Sequence, residues 1–209
     1  YIDKGGLIFS LLLIMSGIGI TLIFYKFFEI NFFNALEFKR FQEISDSSES
    51  LNDFKELLHT FSESGKKKIL DEVVTIIENN KNKTWKEEQI ELLLQKYYNQ
   101  SQRFMPTLEI ISQVSPLIGL LGTVIGMIDS FNKLELGGSL VDPSVLAGGI
   151  WTALLTTAMG LIVAIPALIS HYFFDKKINT TFQASTIFIN NLIVKFNGFS
   201  FPRKYSRSF

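Results

Sequence analysis

The residues with the most chemical interest are hydroxyls set in uncharged, apolar surroundings. Thr123 lies in "SPLIGLLGTVIGMIDSF" (115–131), and Thr152, Thr156 and Thr157 lie in "GGIWTALLTTAMGLIVAIPALISHYFF" (148–174). In such a setting a threonine can bond its own backbone four residues earlier, or bridge to a neighbouring helix for about 0.6 kcal/mol. It can instead line a narrow polar pathway or grip a transmembrane helix of another protein. Small residues accompany these hydroxyls. Gly119, Gly122 and Gly126 fall on one helical face; Gly149, Ala153 and Thr157 recur at intervals of four, beside a row of Thr152, Thr156 and Gly160. Faces of this kind let helix backbones approach closely, which matters because lipid gives helices no hydrophobic reason to associate. Pro116 and Pro166 interrupt the two stretches and are expected to kink them; Pro166 frees a carbonyl that must be buried in protein or wetted.

Titratable groups are placed differently. Glu109 and Asp129 bracket the first stretch, none lies between them, and His171 is the one ionisable side chain of the second, near its end. A membrane proton carrier needs a titratable group in mid-bilayer. If this chain conducts protons, that carboxylate comes from another chain, with Asp129 a candidate for proton uptake at the outer mouth. No metal-ligand spacing, nucleophile–base pair or phosphate loop appears, and there is no cysteine. These absences argue against an enzyme and against a cofactor. A net charge of +0 points away from nucleic acid.

The elements that must carry these residues are apolar spans. The spacing predicts an all-α membrane protein with three transmembrane helices: 5–25, 106–131 and 145–174. Each is long enough, at 1.5 Å per residue, for a hydrocarbon core of about 30 Å. The first span lacks a small-residue cleavage pattern and is too long for a signal-peptide core, so it reads as a retained helix. Every lysine and arginine except Lys4 and Lys133 lies between 26 and 103 or between 176 and 207. The positive-inside bias therefore predicts a periplasmic N-terminus, a cytoplasmic segment 26–105, a periplasmic loop 132–144 and a cytoplasmic tail 175–209.

The cytoplasmic segment reads as helical. Ser50 is a plausible cap for a stripe of Leu51, Phe54, Leu57, Leu58 and Phe61, which Gly65 would stop. "KKKILDEVVTIIENN" is a second amphipathic piece, and "TWKE" (84–87) matches a capping box. From Thr84 the apolar pattern predicts one helix of about 45 residues, kinked at Pro106 and Pro116 and standing half in the membrane. The third span is expected to continue likewise past 174, with Lys176 and Lys177 at the lipid interface. Packing among these helices, or among copies of the chain, accounts for their apolar stripes. The run Lys66–Lys68 reads as a solvated turn or an attraction to anionic lipid. Asn82 and Asn179 open glycosylation sequons on the side predicted to be cytoplasmic, and are discounted.

Together "SPLIGLLGTVIGMIDSF" and "GGIWTALLTTAMGLIVAIPALISHYFF" resemble the MotA/TolQ/ExbB proton-channel family, on its ExbB/TolQ side. The first span, "YKFFEI" and the charged helical segment extend the likeness over nearly the whole chain. The resemblance implies a multi-pass protein of the bacterial inner membrane, assembled as a homopentamer whose second and third helices surround a lumen. That lumen would hold the single helices of a dimer of an ExbD- or TolR-like partner, whose aspartate is the group missing above. Proton flow would then do work on a TonB- or TolA-type protein. By motif, Thr123 and Thr157 match the family's pore-facing threonines. The family commonly has glutamate five residues before the second threonine; here that position is Thr152, which leaves Thr152 and Thr156 as hydroxyl substitutes. A flagellar-type stator subunit is the nearest rival, against which three spans argue. A non-conducting scaffold, with its small faces used only for packing, is the alternative from a different class.

Overall fold

The computed structural model describes residues 2–32, 44–59, 65–79, 82–137 and 143–197, and its regular structure is helical, with no strand among the described residues. The helices are α1 (Ile2–Phe32), α2 (Leu51–His59), α3 (Gly65–Glu78), α4 (Lys83–Ser101), α5 (Met105–Gly137) and α6 (Pro143–Asn197). Three segments are long and apolar enough to cross a membrane: Gly6–Ile30, Lys83–Leu136 and Leu146–Phe196. The chain forms two compact units, one of Tyr1–Phe28 and Phe104–Asp175, the other of Glu29–Arg103 and Lys176–Phe209.

The apolar unit is built from α1, α5 and the first part of α6. Its helices pair antiparallel. Along α1 and α5, Ile8 reaches Gly122, Gly19 faces Ile111, and the Tyr25 ring meets the Phe104 ring edge-on at 5.6 Å. A small core of Leu108, Ile111, Val163 and Ala167 is closed by Met15, Leu22, Ile23 and Phe174. Outward faces are large and apolar, for example Leu117, Leu121, Ile125, Ile162, Ile165 and Ile169. A soluble protein rarely exposes so much contiguous apolar surface, whereas lipid accepts it. Within α1, Gly6 takes φ 57° and ψ −147°, a conformation open to glycine because it lacks a Cβ.

The second unit has an ordinary hydrophobic core. Phe54, Leu58, Leu70, Val73, Val74, Ile90, Ile189, Leu192 and Ile193 are buried together, so α2, α3, α4 and the later part of α6 turn their apolar stripes on one another. Ser50 does cap α2: its Oγ accepts from Asp53 N at 3.2 Å while its own N–H donates to Asp53 Oδ2 at 3.1 Å. At the far end of α6, Lys195 Nζ donates to the Ser45 carbonyl. Tyr98 hydroxyl and Asn179 Oδ1 lie 3.1 Å apart, and the Tyr98 and Phe182 rings meet at 4.6 Å, tilted by 50°.

Three local expectations are corrected. Gly65, expected as a helix stop, lies at the first described residue of α3, and 60–64 between it and α2 lie outside the described residues. The start of α4 is capped by Asn82, whose Oδ1 accepts from Trp85 N at 2.9 Å, so Thr84 lies inside the helix. Asparagine is at least as strong a cap as threonine. The helix of about 45 residues is not continuous: α4 ends at Ser101, Phe104 takes φ 70°, and α5 restarts at Met105. Pro106 supplies the reason. It has no N–H for the carbonyl of Gln102, yet sits well in the first turn of a new helix. Pro116 and Pro166 lie inside helices that run on past them. Helix α5 also continues through 132–137, part of the stretch expected as loop; 138–142 lie outside the described residues, as do Phe61 and the tail from 198 to 209.

Candidate functional site

The small residues of α5 and α6 form one seam. A Cβ on Gly119 would stand 2.9 Å from the Thr156 carbonyl oxygen and 3.0 Å from the Thr157 Cα. One on Gly160 would stand 2.6 Å from the Ser115 carbonyl oxygen and 3.2 Å from the Gly119 Cα. On Gly122 it would strike the Thr156 hydroxyl, on Gly126 it would lie 3.0 Å from the Ala153 Cβ, and on Gly149 it would run into Ser130 Oγ. Real Cβ atoms do not approach backbone oxygens so closely, so Gly119 and Gly160 are required by the facing backbone, while Gly122, Gly126 and Gly149 are closed over by side chains. Backbones in such contact gain dispersion along the crossing, the main attraction left to helices in lipid.

Hydroxyls stitch the seam. Thr156 Oγ1 is buried and donates to the Gly119 carbonyl at 3.1 Å, sharing its proton with the Ala153 carbonyl at 2.7 Å. Thr157 Oγ1 donates to the same Gly119 carbonyl, also at 3.1 Å. The two remaining predicted hydroxyls stay on their own helices, Thr123 bonding Leu120 O at 2.7 Å and Thr152 bonding Gly149 O at 2.9 Å. Thr123 also borders an open apolar hollow of about 450 Å³ with Val124, Met127, Ile128, Phe131 and Asn132. Gly119, Gly122, Gly126, Gly149, Ala153, Gly160, Thr156 and Thr157 thus meet at one seam, while Thr123 and Thr152 do not bridge it.

Sequence reasoning missed two members. Ser115 and Ser130 are buried at the two ends of the seam, with hydroxyls on Ile111 O at 2.6 Å and Gly126 O at 2.7 Å. Their spacing extends the glycine row by the same threes and fours, a signal legible once serine is counted as small.

Charge lies only at the ends. At one end Asp129 and Lys133 pair within α5 at 2.6 Å, both exposed. At the other, Glu109 on α5 and His171 on α6 approach to 4.0 Å, and Gln113 Nε2 donates to the second Glu109 oxygen at 3.1 Å. From Ile110 to Ile128 and from Val145 to Ser170 no side chain is ionisable. Among the described residues no group of acidic, histidine or cysteine side chains could hold a metal ion.

Three long apolar helices with a close-packed, hydroxyl-stitched seam define a multi-pass membrane protein. The chain belongs to the MotA/TolQ/ExbB proton channel family, which it matches over residues 55–185. It is an ExbB/TolQ-like member. The biopolymer transport protein exbB1 of Vibrio cholerae is 38% identical over 41% of this chain and 38% of its own length. The Tol-Pal system protein TolQ of Haemophilus influenzae is 37% identical over 41% of this chain and 37% of its own. An ExbB-like biopolymer transport protein of Helicobacter pylori is 27% identical over 85% of this chain and 87% of its own. The first two alignments span under two fifths of their relatives' own length.

Proposed function

We propose that this chain is the proton-channel subunit of an energising complex in the bacterial inner membrane. It acts with a dimer of an ExbD- or TolR-like single-span partner inside a homopentamer, and proton flow is turned into work on a TonB- or TolA-type protein. The observation that carries this reading is the division of labour along α5 and α6. Hydroxyls and closely packed glycines run through the apolar section, and ionisable groups are confined to its two ends. Such a surface can solvate a moving proton site but cannot itself carry the charge, so it calls for a carboxylate on a partner helix. One elementary charge crossing 100 mV releases about 2.3 kcal/mol, enough to bias a helix between two positions. In this reading Asp129 lies at the periplasmic mouth, Thr123, Thr152 and Thr157 face the pathway, and lipid covers the outer faces.

A scaffold reading is favoured by one observation, the use of both Thr156 and Thr157 hydroxyls on the Gly119 carbonyl. Ion flux in proteoliposomes separates the two. The complex with its aspartate-bearing partner should pass protons, this chain alone should not, and Thr157→Val should stop the flux while the complex still assembles. Unchanged flux in Thr157→Val, or none in the intact complex under an imposed potential, sinks the proton-path reading.

A further inference from the structure

In the apolar unit Glu109 on α5 and His171 on α6 bring two ionisable side chains of different helices to 4.0 Å. We infer that they form a proton-release relay at the cytoplasmic end of the pathway, with His171 as the acceptor and Glu109 as the group that holds its charge; this rests on the proton-channel reading above.

Three features support it. Imidazole is the side chain whose ordinary titration falls between pH 5 and 8, so it can take and return a proton without a large barrier at neutral pH. His171 is mostly enclosed, with 22% of its side chain exposed, whereas Glu109 is 51% exposed and so joins the ring to solvent. Glu109 is also aimed: Gln113 holds one carboxylate oxygen at 3.1 Å, leaving the other for the ring. The opposite end of the unit lacks this arrangement. There Asp129 is engaged by Lys133 on its own helix.

The remaining charged groups at the His171 end are Lys26 on α1 and Asp175 on α6. Lys26 is buried, and Asp175 lies one turn beyond His171 on the same helix. The relay step balances simply. A proton arriving through water binds the neutral ring and makes an imidazolium beside the Glu109 carboxylate. The ring then gives one proton, directly or by way of that carboxylate, to water on the cytoplasmic side and is neutral again.

The test is proton flux through the partner-containing complex in proteoliposomes, with the pH on the His171 side varied. His171→Gln should lower flux by about tenfold or more and remove its dependence on that pH. Imidazole added on that side should restore flux to His171→Ala. The exchange of Glu109→His with His171→Glu should keep flux within about threefold of the native complex. Native flux and pH response in His171→Gln overturn the relay and leave the proton-channel reading standing. So does a loss in His171→Ala that imidazole does not restore, which would give the ring a packing role. If His171→Ala does not assemble, the exchange decides: a silent exchanged complex overturns the relay. A native complex that passes no protons overturns the channel reading, and the relay with it.

Discussion

The two units of this chain solve the problem of holding helices together in opposite ways. In the second unit, leucine, isoleucine, valine and phenylalanine fill the space between helices, and burying each large side chain contributes about 1.5–3 kcal/mol. In the apolar unit the crossing of α5 and α6 is instead made of glycine, alanine, serine and threonine, large side chains form only a small core, and many others point outward. The solvent decides. Water rewards apolar burial, whereas lipid is indifferent to it, so the apolar unit is left with backbone proximity and hydrogen bonds across the crossing. One sequence therefore reads correctly only when the position of each leucine is judged against the solvent it meets.

That contrast predicts that removing carbon harms one unit and adding carbon harms the other. The largest effect is expected from Leu192→Ala, which empties a fully buried site and should cost about 2–5 kcal/mol in denaturant unfolding followed by Trp85 fluorescence. Next comes Gly160→Ala, whose single added methyl meets the Ser115 carbonyl oxygen at 2.6 Å. It should cost about 1–3 kcal/mol in detergent unfolding followed by Trp151 fluorescence. Gly148→Ala is its control, because nothing lies within 4 Å of the added atom. It should be neutral or slightly stabilising, and a loss equal to that of Gly160→Ala would break the comparison. Thr156→Val keeps the shape and removes a bridging hydroxyl, so a loss of about 0.6 kcal/mol is expected by the same measurement.

The smallest effect is a pH dependence in the second unit. Burial, followed by the Glu72 carboxylate that accepts the Tyr97 hydroxyl proton at 3.1 Å, pushes the Tyr97 phenol up to about 12. The folded state therefore keeps this proton after the unfolded chain, at about 10, has lost it. The stabilisation is complete below pH 10 and is lost as pH rises from 10 towards 12. Tyr97→Phe should flatten that part of the stability profile relative to the native chain. An identical slope in both proteins would show that the Glu72 contact contributes nothing.

The three spans were legible because twenty or so uncharged residues have few other uses, and the Ser50 cap because its acidic partner stands three residues on. The seam was legible in outline from glycine spacing. What could not be read was which of two adjacent threonines is enclosed: at Thr156 and Thr157 the residue type is the same, and a rotation of 100° per residue separates a buried hydroxyl from a half-buried one. The break at Phe104 was hidden for another reason. Proline is compatible with both a kinked helix and the first turn of a new one, and the edge-on Tyr25 contact comes from residues far away in sequence. Asn82 was passed over as a cap because "TWKE" matches the longer motif, although a single well-placed amide is sufficient.

The doubly used carbonyl of Gly119 has a consequence for motion. Its oxygen receives hydroxyls from two consecutive residues of α6, and Thr156 has a second acceptor on its own helix. Either threonine can swing away while the other still spans the crossing, so the joint behaves as a latch with a spare tooth. Side-chain rotation at one position need not loosen the pair of helices. Loss of both teeth leaves the crossing to the packing of its glycines alone.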